Sequence, residues 1–95
     1  MKPNLILYSR RDCRLCDEMK EVIRGVTQSV SVSLTEVDVD GAPELQDKFG
    51  EEVPVLFIDG RKAFKYRVTA RELRTRLAGS RSFGKILAAM IRKRR

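Results

Sequence analysis

The hydrophobic positions in the first third of the chain change their spacing once, and the change marks the boundary between two predicted elements. Residues 5–8 form a continuous apolar run, which is typical of a buried strand. After this run the apolar residues recur every three or four positions, at Leu15, Met19, Val22, Ile23 and Val26. That spacing places one apolar stripe on a helix. The pattern therefore predicts a strand followed directly by an amphipathic helix.

A second strand and a short helix are predicted next. Residues from about 32 to 38 alternate between apolar and polar positions, as in a strand. A strand, a helix and a strand form a βαβ unit, so the first two strands should be parallel neighbours joined by a right-handed crossover. Pro43 suits the first turn of a short helix, and we expect this helix to end at Gly50.

The second half of the chain carries signals for a hairpin and a last helix. The apolar run of residues 55–58 precedes Asp59-Gly60, a dipeptide typical of a tight turn between antiparallel strands. Thr69 and Glu72 form a capping box, which predicts a helix from about Ala70 to Gly79. The 95 residues suffice for one modest core. We therefore expect one domain, residues 1–79, followed by a basic amphipathic tail, residues 80–95.

Both cysteines of the chain lie where the first strand meets the first helix. Cys13 falls at the helix N-terminus, where unpaired backbone N–H groups and the helix dipole favour an anion. Arg10, Arg11 and Arg14 add positive charge. We therefore expect Cys13 to be a nucleophilic thiolate. Cys16, one helical turn later, would attack the mixed disulfide that Cys13 forms.

Other uses of this cysteine pair remain as alternatives. A structural zinc site requires four ligands, and the chain has two cysteines and no histidine, so metal ligation by this chain alone is not expected. A purely structural disulfide across so short a loop would remove little entropy from the unfolded chain. An iron–sulfur cluster bridged in a dimer through Cys13 and added thiols is a third alternative. The absence of histidine also excludes hydrolases of the Ser-His and Cys-His types.

The net charge of +7 is distributed unevenly along the chain. Residues 1–60 carry 7 Lys and Arg against 12 Asp and Glu, a net of -5, whereas residues 61–95 carry 13 against Glu72 alone, a net of +12. From this excess we expect a polyanion partner for residues 80–95. It also supports an alternative function, a basic module that docks on nucleic acid, the ribosome, an anionic membrane or an acidic protein, with the thiols acting as a redox sensor.

Neither a signal peptide nor a transmembrane segment is visible in the sequence, because the first apolar run is only four residues long before charges intervene. Closely spaced cysteines within a strand and helix pattern fit catalytic thiols in a reducing compartment. We therefore expect a cytoplasmic protein, monomeric and without a bound cofactor.

The element order β-α-β-α-β-β-α, with C-x-x-C after the first strand and Val53-Pro54 before the third, resembles the thioredoxin fold. Within that superfamily the chain resembles the small glutaredoxin-like family over roughly residues 4–78. The matching stretches are Leu7-Tyr8-Ser9, Cys13 to Glu18, Glu36 to Asp40, Pro43-Glu44-Leu45, Val53 to Leu56 and Asp59-Gly60. The resemblance implies an α/β fold with a mixed four-stranded sheet flanked by helices.

The resemblance also implies a thiol-disulfide oxidoreductase that acts on protein or small-molecule disulfides. Cys13 would be the exposed nucleophile and Cys16 the resolving thiol. Pro54 would be a cis-proline facing them, and Val53 would offer its backbone to an extended substrate or to glutathione. Arg10 would hold the thiolate and a glutathione carboxylate, and we assign Arg14 to the same substrate-binding surface. The electron donor would be a reductase or glutathione.

Two features depart from the family pattern. Glutaredoxins that use glutathione well carry a glycine pair and an acidic residue after the hairpin, and residues 65–70 contain neither. We therefore expect weak use of glutathione. The strand before the motif also lacks the buried carboxylate of thioredoxins, so we expect Cys16 to lose its proton to water or to a peripheral carboxylate.

Overall fold

A computed structural model of the chain describes residues 2–79, and the predicted tail, residues 80–95, lies outside the described residues. The elements in chain order are β1 (Asn4–Ser9), α1 (Arg14–Thr27), β2 (Ser33–Asp38), a 3-10 turn (Val39–Gly41), α2 (Pro43–Phe49), β3 (Val55–Ile58), β4 (Arg61–Lys65) and α3 (Ala70–Ala78). The predicted element order is confirmed. None of the helices within residues 2–79 has the length and apolar character needed to cross a membrane.

The four strands form one mixed sheet in the order β2-β1-β3-β4. β1 and β2 are parallel, as the βαβ pattern predicts. β3 is antiparallel to both β1 and β4. Because β2 and β4 occupy the two edges, the hairpin of β3 and β4 lies on the far side of β1 from β2.

The larger hydrophobic cluster fills the space between the sheet and the helices α1 and α3. Leu5 and Leu7 from β1, Met19 from α1 and Leu73 from α3 belong to this cluster and are at most 1% exposed. Burying a side chain of this size stabilises the fold by about 1.5–3 kcal/mol. The predicted apolar stripe of α1 is thus the face that anchors the helix to the sheet.

A smaller cluster lies on the opposite face of the sheet, under α2. It contains Val39, Phe49 and Val55, with Tyr8 packed against them. The rings of Tyr8 and Phe49 are stacked with centroids 4.5 Å apart, and Phe57 meets the Tyr8 ring edge-on at 5.5 Å. These aromatic contacts fix the short α2 next to the carboxyl end of β1.

The local signals for the hairpin and the last helix are confirmed. Asp59 and Gly60 have φ values of 50° and 83°, the left-handed conformations that a tight two-residue hairpin turn requires. At the start of α3 the backbone N–H of Glu72 donates to the Thr69 hydroxyl at 3.0 Å, and the backbone N–H of Thr69 donates to the Glu72 carboxylate at 2.9 Å. α3 therefore begins at Ala70, as expected.

The strand pattern did not predict how exposed β2 would be. The alternation predicted a strand at about residues 32–38 and made no statement on burial; in β2 only Val37 is partly covered, and Leu34 is 48% exposed. The reason is the position of β2 at the edge of the sheet, where helices cover it least. The sequence also did not reveal the 3-10 turn after β2, in which the Asp38 carboxylate accepts the Asp40 N–H at 2.9 Å.

Candidate active site

Three chain segments meet at one end of the sheet. Tyr8 near the end of β1 pairs with Val55 at the start of β3, and Val55 pairs with Lys65 at the end of β4. The loop after β1, the residues before β3 and the residues after β4 must therefore lie at the same edge. The first segment leads to Cys13 and the second contains Pro54.

Cys13 occupies the N-cap position of α1, with an extended backbone at φ -114° and ψ 105°. Its Sγ accepts the backbone N–H of Cys16 at 3.1 Å. Asp12 just before it has φ 54°, so the chain turns sharply into the helix. The predicted place of Cys13 at a helix N-terminus is confirmed, and the hydrogen bond is of the kind that favours a negatively charged sulfur there.

The two cysteines differ in burial and are joined in this structure. Cys13 is partly exposed, whereas Cys16 is fully buried at 0% exposure. They form a disulfide, with Cα atoms 5.2 Å apart. A sulfur that attacks an external disulfide must reach it, so this arrangement suits Cys13 for the first attack and Cys16 for the intramolecular one.

Arg10 is bound to the acidic loop after β2. Its guanidinium donates to both carboxylate oxygens of Asp40, at 2.6 and 3.2 Å, and to the Gly50 carbonyl at 2.9 Å. The hydrogen bond between the two side chains raises the pKa of Arg10 and lowers the pKa of Asp40. Three donors of the guanidinium are thus engaged within the protein. Sequence reasoning missed Asp40, because nothing local indicates that residues 30 positions apart meet.

Arg14 points away from the protein. Its side chain is 93% exposed and lies 3.6 Å from the Glu18 carboxylate, one helical turn along α1. Exposed pairs of this kind contribute little to stability. The guanidinium is therefore available to a ligand beside Cys13, whereas that of Arg10 is largely committed to Asp40.

A second polar group lies between β1, β2 and α1. The hydroxyl of buried Ser9 donates to the Glu36 carboxylate at 2.8 Å, and the Lys20 ammonium is 2.7 Å from the same carboxylate oxygen. The hydrogen bond from Lys20, and then that from Ser9, lowers the pKa of Glu36 against the opposing effect of burial. Lys20 follows Cys16 by four residues, so both side chains project from the same side of α1. The Glu36 carboxylate, on β2, thus lies against the side of α1 from which Cys16 also projects, where the sequence analysis had not located it.

The Val53–Pro54 peptide bond is cis, as expected from the sequence. Pro54 is fully buried, and its carbonyl accepts the backbone N–H of Tyr66 at 2.9 Å. Val53 precedes it and is partly exposed at the end of the sheet. Val53 and Pro54 therefore lie at the end of the sheet to which the segment carrying Cys13 also leads.

Tyr66 was not singled out by the sequence. It is 41% exposed and has φ 69°, a left-handed conformation that residues other than glycine rarely adopt. The Lys65 ammonium lies 5.3 Å from the centre of its ring.

Within residues 2–79, no three His, Cys, Asp or Glu side chains are grouped to hold a metal ion.

Comparisons with known proteins agree with this arrangement. The model of the glutaredoxin-like domain family (DUF836) matches residues 4–78. An uncharacterized protein of Mycobacterium tuberculosis is 30% identical over 88 residues, which cover 87% of this chain and 90% of that protein. The solved structure of a structural genomics target from X. campestris is 31% identical and covers 80% of this chain and 97% of its own, with a TM-score of 0.70.

The structure of reduced desulfothioredoxin from Desulfovibrio vulgaris Hildenborough is 27% identical, with a TM-score of 0.61 over 79% of this chain and 78% of its own. The fold and the resemblance expected from the sequence are therefore confirmed. The protein belongs to the glutaredoxin-like domain family (DUF836), and it combines a thioredoxin fold with a C-x-x-C pair, Cys13 and Cys16.

Proposed function

We propose that this protein is a thiol-disulfide oxidoreductase in which Cys13 is the nucleophile and Cys16 the resolving thiol. One observation carries the proposal: the Sγ of partly exposed Cys13, at the N-cap of α1, accepts the Cys16 N–H, and the Cys16 sulfur is buried within bonding reach. A structural disulfide would not require one accessible sulfur at the positive end of a helix.

The reaction proceeds by two exchanges. The Cys13 thiolate attacks one sulfur of a substrate disulfide R–S–S–R′, so that the Cys13–S–R bond forms and R′–S⁻ leaves. The Cys16 thiolate then attacks the Cys13 sulfur, which closes the protein disulfide and releases R–S⁻. Two electrons pass to the substrate, and the leaving thiolates take up the protons that Cys13 and Cys16 lost. A flavoprotein disulfide reductase, or two molecules of glutathione, returns two electrons and two protons to the cysteine pair.

The Cys13 thiolate is stabilised mainly by the helix terminus. The Cys16 N–H already points at its sulfur, and the helix dipole adds a positive potential there. Arg10 contributes less than the sequence suggested, because Asp40 neutralises most of its charge. Arg14 reaches into solvent beside the motif and is suited to meet an anionic group of a substrate.

Glu36 assists the second step. Cys16 must lose its proton although it is fully buried, and the chain has no histidine to accept it. The Glu36 carboxylate is held between Ser9 and Lys20 on the Cys16 side of α1. We assign to it, with a bridging water, the role of proton acceptor when Cys16 attacks the mixed disulfide.

Protein disulfides are the preferred substrates. The backbone of partly exposed Val53, just before the buried cis-Pro54, can pair with an extended segment of a substrate, which provides recognition without a dedicated pocket. Glutathione is a weaker ligand, since side chains at Lys65 to Arg67 occupy the place where a glycine pair would admit it. Catalytic thiols that must be returned to the reduced state fit a monomer in the cytoplasm.

A trapping experiment tests the proposal. Cys16→Ser leaves the first exchange intact and removes the second, so incubation of the reduced variant with native insulin, which carries intact disulfides, should accumulate a covalent adduct on Cys13, visible by non-reducing mass spectrometry. Cys13→Ser is the matched control and should accumulate none. Equal adduct formation by the two variants, or none by either, would contradict the assignment.

A further inference from the structure

A cleft of about 600 Å³ opens on the α2 side of the sheet, beside the segment that leads into β3. α2, the two residues before Val53 and the end of β4 supply its lining, which consists of Gln46, Asp47, Lys48, Glu51, Glu52, Lys65 and Tyr66. The two exchange steps at the cysteines use none of these side chains. The cleft therefore adjoins the proposed substrate-binding backbone without taking part in the chemistry.

Tyr66 is the lining residue that is tied most directly to the substrate-binding backbone. Its N–H donates to the Pro54 carbonyl at 2.9 Å, one residue from Val53. Its φ is 69° and the residue is 41% exposed. A left-handed conformation favours glycine, and an exposed ring gains little from burial, so the stability of the fold does not account for an aromatic residue here. A substrate strand that pairs with Val53 would pass beside this ring.

Two carboxylates of the cleft have no partner of opposite charge. Within residues 2–79, Asp47 and Glu51 form no ion pair, whereas Glu52 is bound to Lys62. The chain around them is acidic as well, because residues 38–60 contain seven Asp and Glu against a single lysine. The potential on this side of the sheet is therefore negative, although the whole chain is basic.

Both lysines of the cleft lie over aromatic rings. The Lys48 ammonium is 5.5 Å from the centre of the Phe49 ring, and the Lys65 ammonium is 5.3 Å from the centre of the Tyr66 ring. These are cation–π contacts, and the second shows that the Tyr66 ring is placed where a cation can approach it. Neither lysine pairs with the two unpaired carboxylates, which stay open to a cation from outside.

We infer that Tyr66 selects the substrate of the proposed oxidoreductase by binding an arginine that flanks the attacked cysteine of a protein disulfide. A guanidinium is planar, so it can stack on the exposed ring while its N–H groups donate to Asp47 or Glu51 in the same cleft. An acidic side chain would be repelled there, and an aliphatic one would leave the charged lining without a partner. The inference rests on the proposed function, because it names the disulfides that Cys13 attacks.

The test measures how fast the reduced full chain reacts with synthetic Ala-X-Cys-X-Ala peptides, in which X is arginine, glutamine or glutamate. The peptide cysteine carries thionitrobenzoate in a mixed disulfide, so attack by the Cys13 thiolate on the peptide sulfur releases coloured thionitrobenzoate as a thiolate. Each rate is divided by the rate of dithiothreitol with the same peptide, which removes the intrinsic reactivity of the disulfide. The arginine peptide should react at least about fivefold faster than the glutamine peptide. The glutamate peptide should be the slowest.

Substitutions in the cleft separate the ring from the carboxylates. Tyr66→Gly tolerates the left-handed backbone and should lower the arginine preference by about threefold to fivefold, while Tyr66→Phe keeps the aromatic face and should retain most of it. Asp47→Asn/Glu51→Gln should lower the preference by a similar factor. Glu21→Gln/Glu44→Gln removes the same charge outside the cleft and should change the preference by less than about twofold. The glutamine peptide should react alike with all four variants.

The inference and the proposed function fail in different ways. Equal normalised rates for the arginine and glutamine peptides, a fastest rate for the glutamate peptide, or an arginine preference that Tyr66→Gly retains would overturn the inference and leave Cys13 as the nucleophile. No reaction with any peptide, or a Cys13→Ser control that reacts as the wild type does, would overturn both. If Tyr66→Gly does not fold by circular dichroism, a preference that Asp47→Asn/Glu51→Gln retains is the contradicting result.

Discussion

Arg10 and Lys20 are built into the fold, whereas the arginines of α3, Arg71, Arg74 and Arg76, here called the basic face, are left exposed. Arg10 reaches from β1 to Asp40 and Gly50, and Lys20 reaches from α1 to Glu36 on β2. Arg71 and Arg74, on α3, project outward without a carboxylate partner in the described residues 2–79. The same residue type therefore serves two purposes. Paired cations hold the loops that position the cysteines, and unpaired ones are available to a partner molecule.

The largest effect should come from removing the nucleophilic sulfur, which should abolish disulfide turnover and leave the basic face unchanged. Cys13→Ser should reduce turnover of insulin disulfides to the background rate, because the first exchange has no other accessible thiol. The basic face should be unaffected. Turnover followed by insulin turbidity, measured alongside urea unfolding of the same variant, checks both. Residual turnover above background would mean that Cys16 can attack external disulfides.

The next largest effect tests how much the packing of α3 against the main cluster contributes to the free energy of unfolding. Leu73 is fully buried in the main cluster, so Leu73→Ala should lower the free energy of unfolding by about 2–5 kcal/mol. Urea unfolding measures the change. Thr75→Ala, at an exposed position of the same helix, is the control and should change it by less than about 0.5 kcal/mol. Equal effects would show that α3 does not share the core of the sheet.

The cap of α3 offers a smaller and more local perturbation. Thr69→Ala removes the hydroxyl that accepts the Glu72 N–H, which should cost about 1 kcal/mol. Glu72→Ala on the Thr69→Ala background should cost less than it does alone, since the two side chains act together. Urea unfolding of the wild type, the two single variants and the double variant gives the coupling free energy between the two side chains. Simple additivity would mean that the two hydrogen bonds are independent.

The contribution of the Glu36 carboxylate to the free energy of unfolding should depend on pH. The pKa of Glu36 in the folded protein lies below its ordinary value of 4.5, so its pairing stabilises the fold above that pH and ceases to do so as the pH falls through the lower folded value. Glu36→Gln should therefore cost up to about 1 kcal/mol at neutral pH, after allowance for its partial exposure, and nothing in strong acid. Urea unfolding followed from pH 7 down through the acid range measures this difference. A cost that does not decrease as the pH is lowered would assign the effect to packing.

The same variant also tests the assigned role of Glu36 in the reaction. Glu36→Gln should slow closure of the Cys13–Cys16 disulfide from a mixed disulfide, while leaving the rate of Cys13 alkylation unchanged. Stopped-flow measurement of both rates separates proton acceptance from a general disturbance of the motif. If both rates fall together, Glu36 only supports the local structure.

The smallest effect falls on an unpaired cation. Arg74→Gln removes a charge from the basic face without breaking an ion pair of the described residues, so stability should stay within about 0.5 kcal/mol of the wild type or rise slightly as repulsion is relieved. Urea unfolding at low and high salt checks it. A clear loss of stability would indicate that Arg74 has a structural partner, and the contrast between paired and unpaired cations would not hold there.

Most elements could be predicted because their signals are local. The period of three to four residues specifies α1, the Thr69 and Glu72 pair specifies where α3 starts, and the Asp59-Gly60 turn specifies the hairpin. Such signals depend on residues within one or two turns, where geometry leaves few alternatives. The placement of β2 at an edge, and hence the exposure of Leu34, depends on which strands pair and had no local signal.

The sequence alone determined the order of the elements, the position of Cys13 at a helix terminus, the family resemblance and the division of charge along the chain. The tertiary structure decided which charges meet. Arg10 and Asp40 are 30 residues apart, and Ser9 and Glu36 are 27 apart, so their contacts exist only once the parallel pairing of β1 and β2 brings the two segments together. Tyr66 likewise acquired significance when its N–H bonded to the Pro54 carbonyl and its ring stayed exposed. Long-range contacts of this kind follow from strand order and packing, which local propensity does not encode.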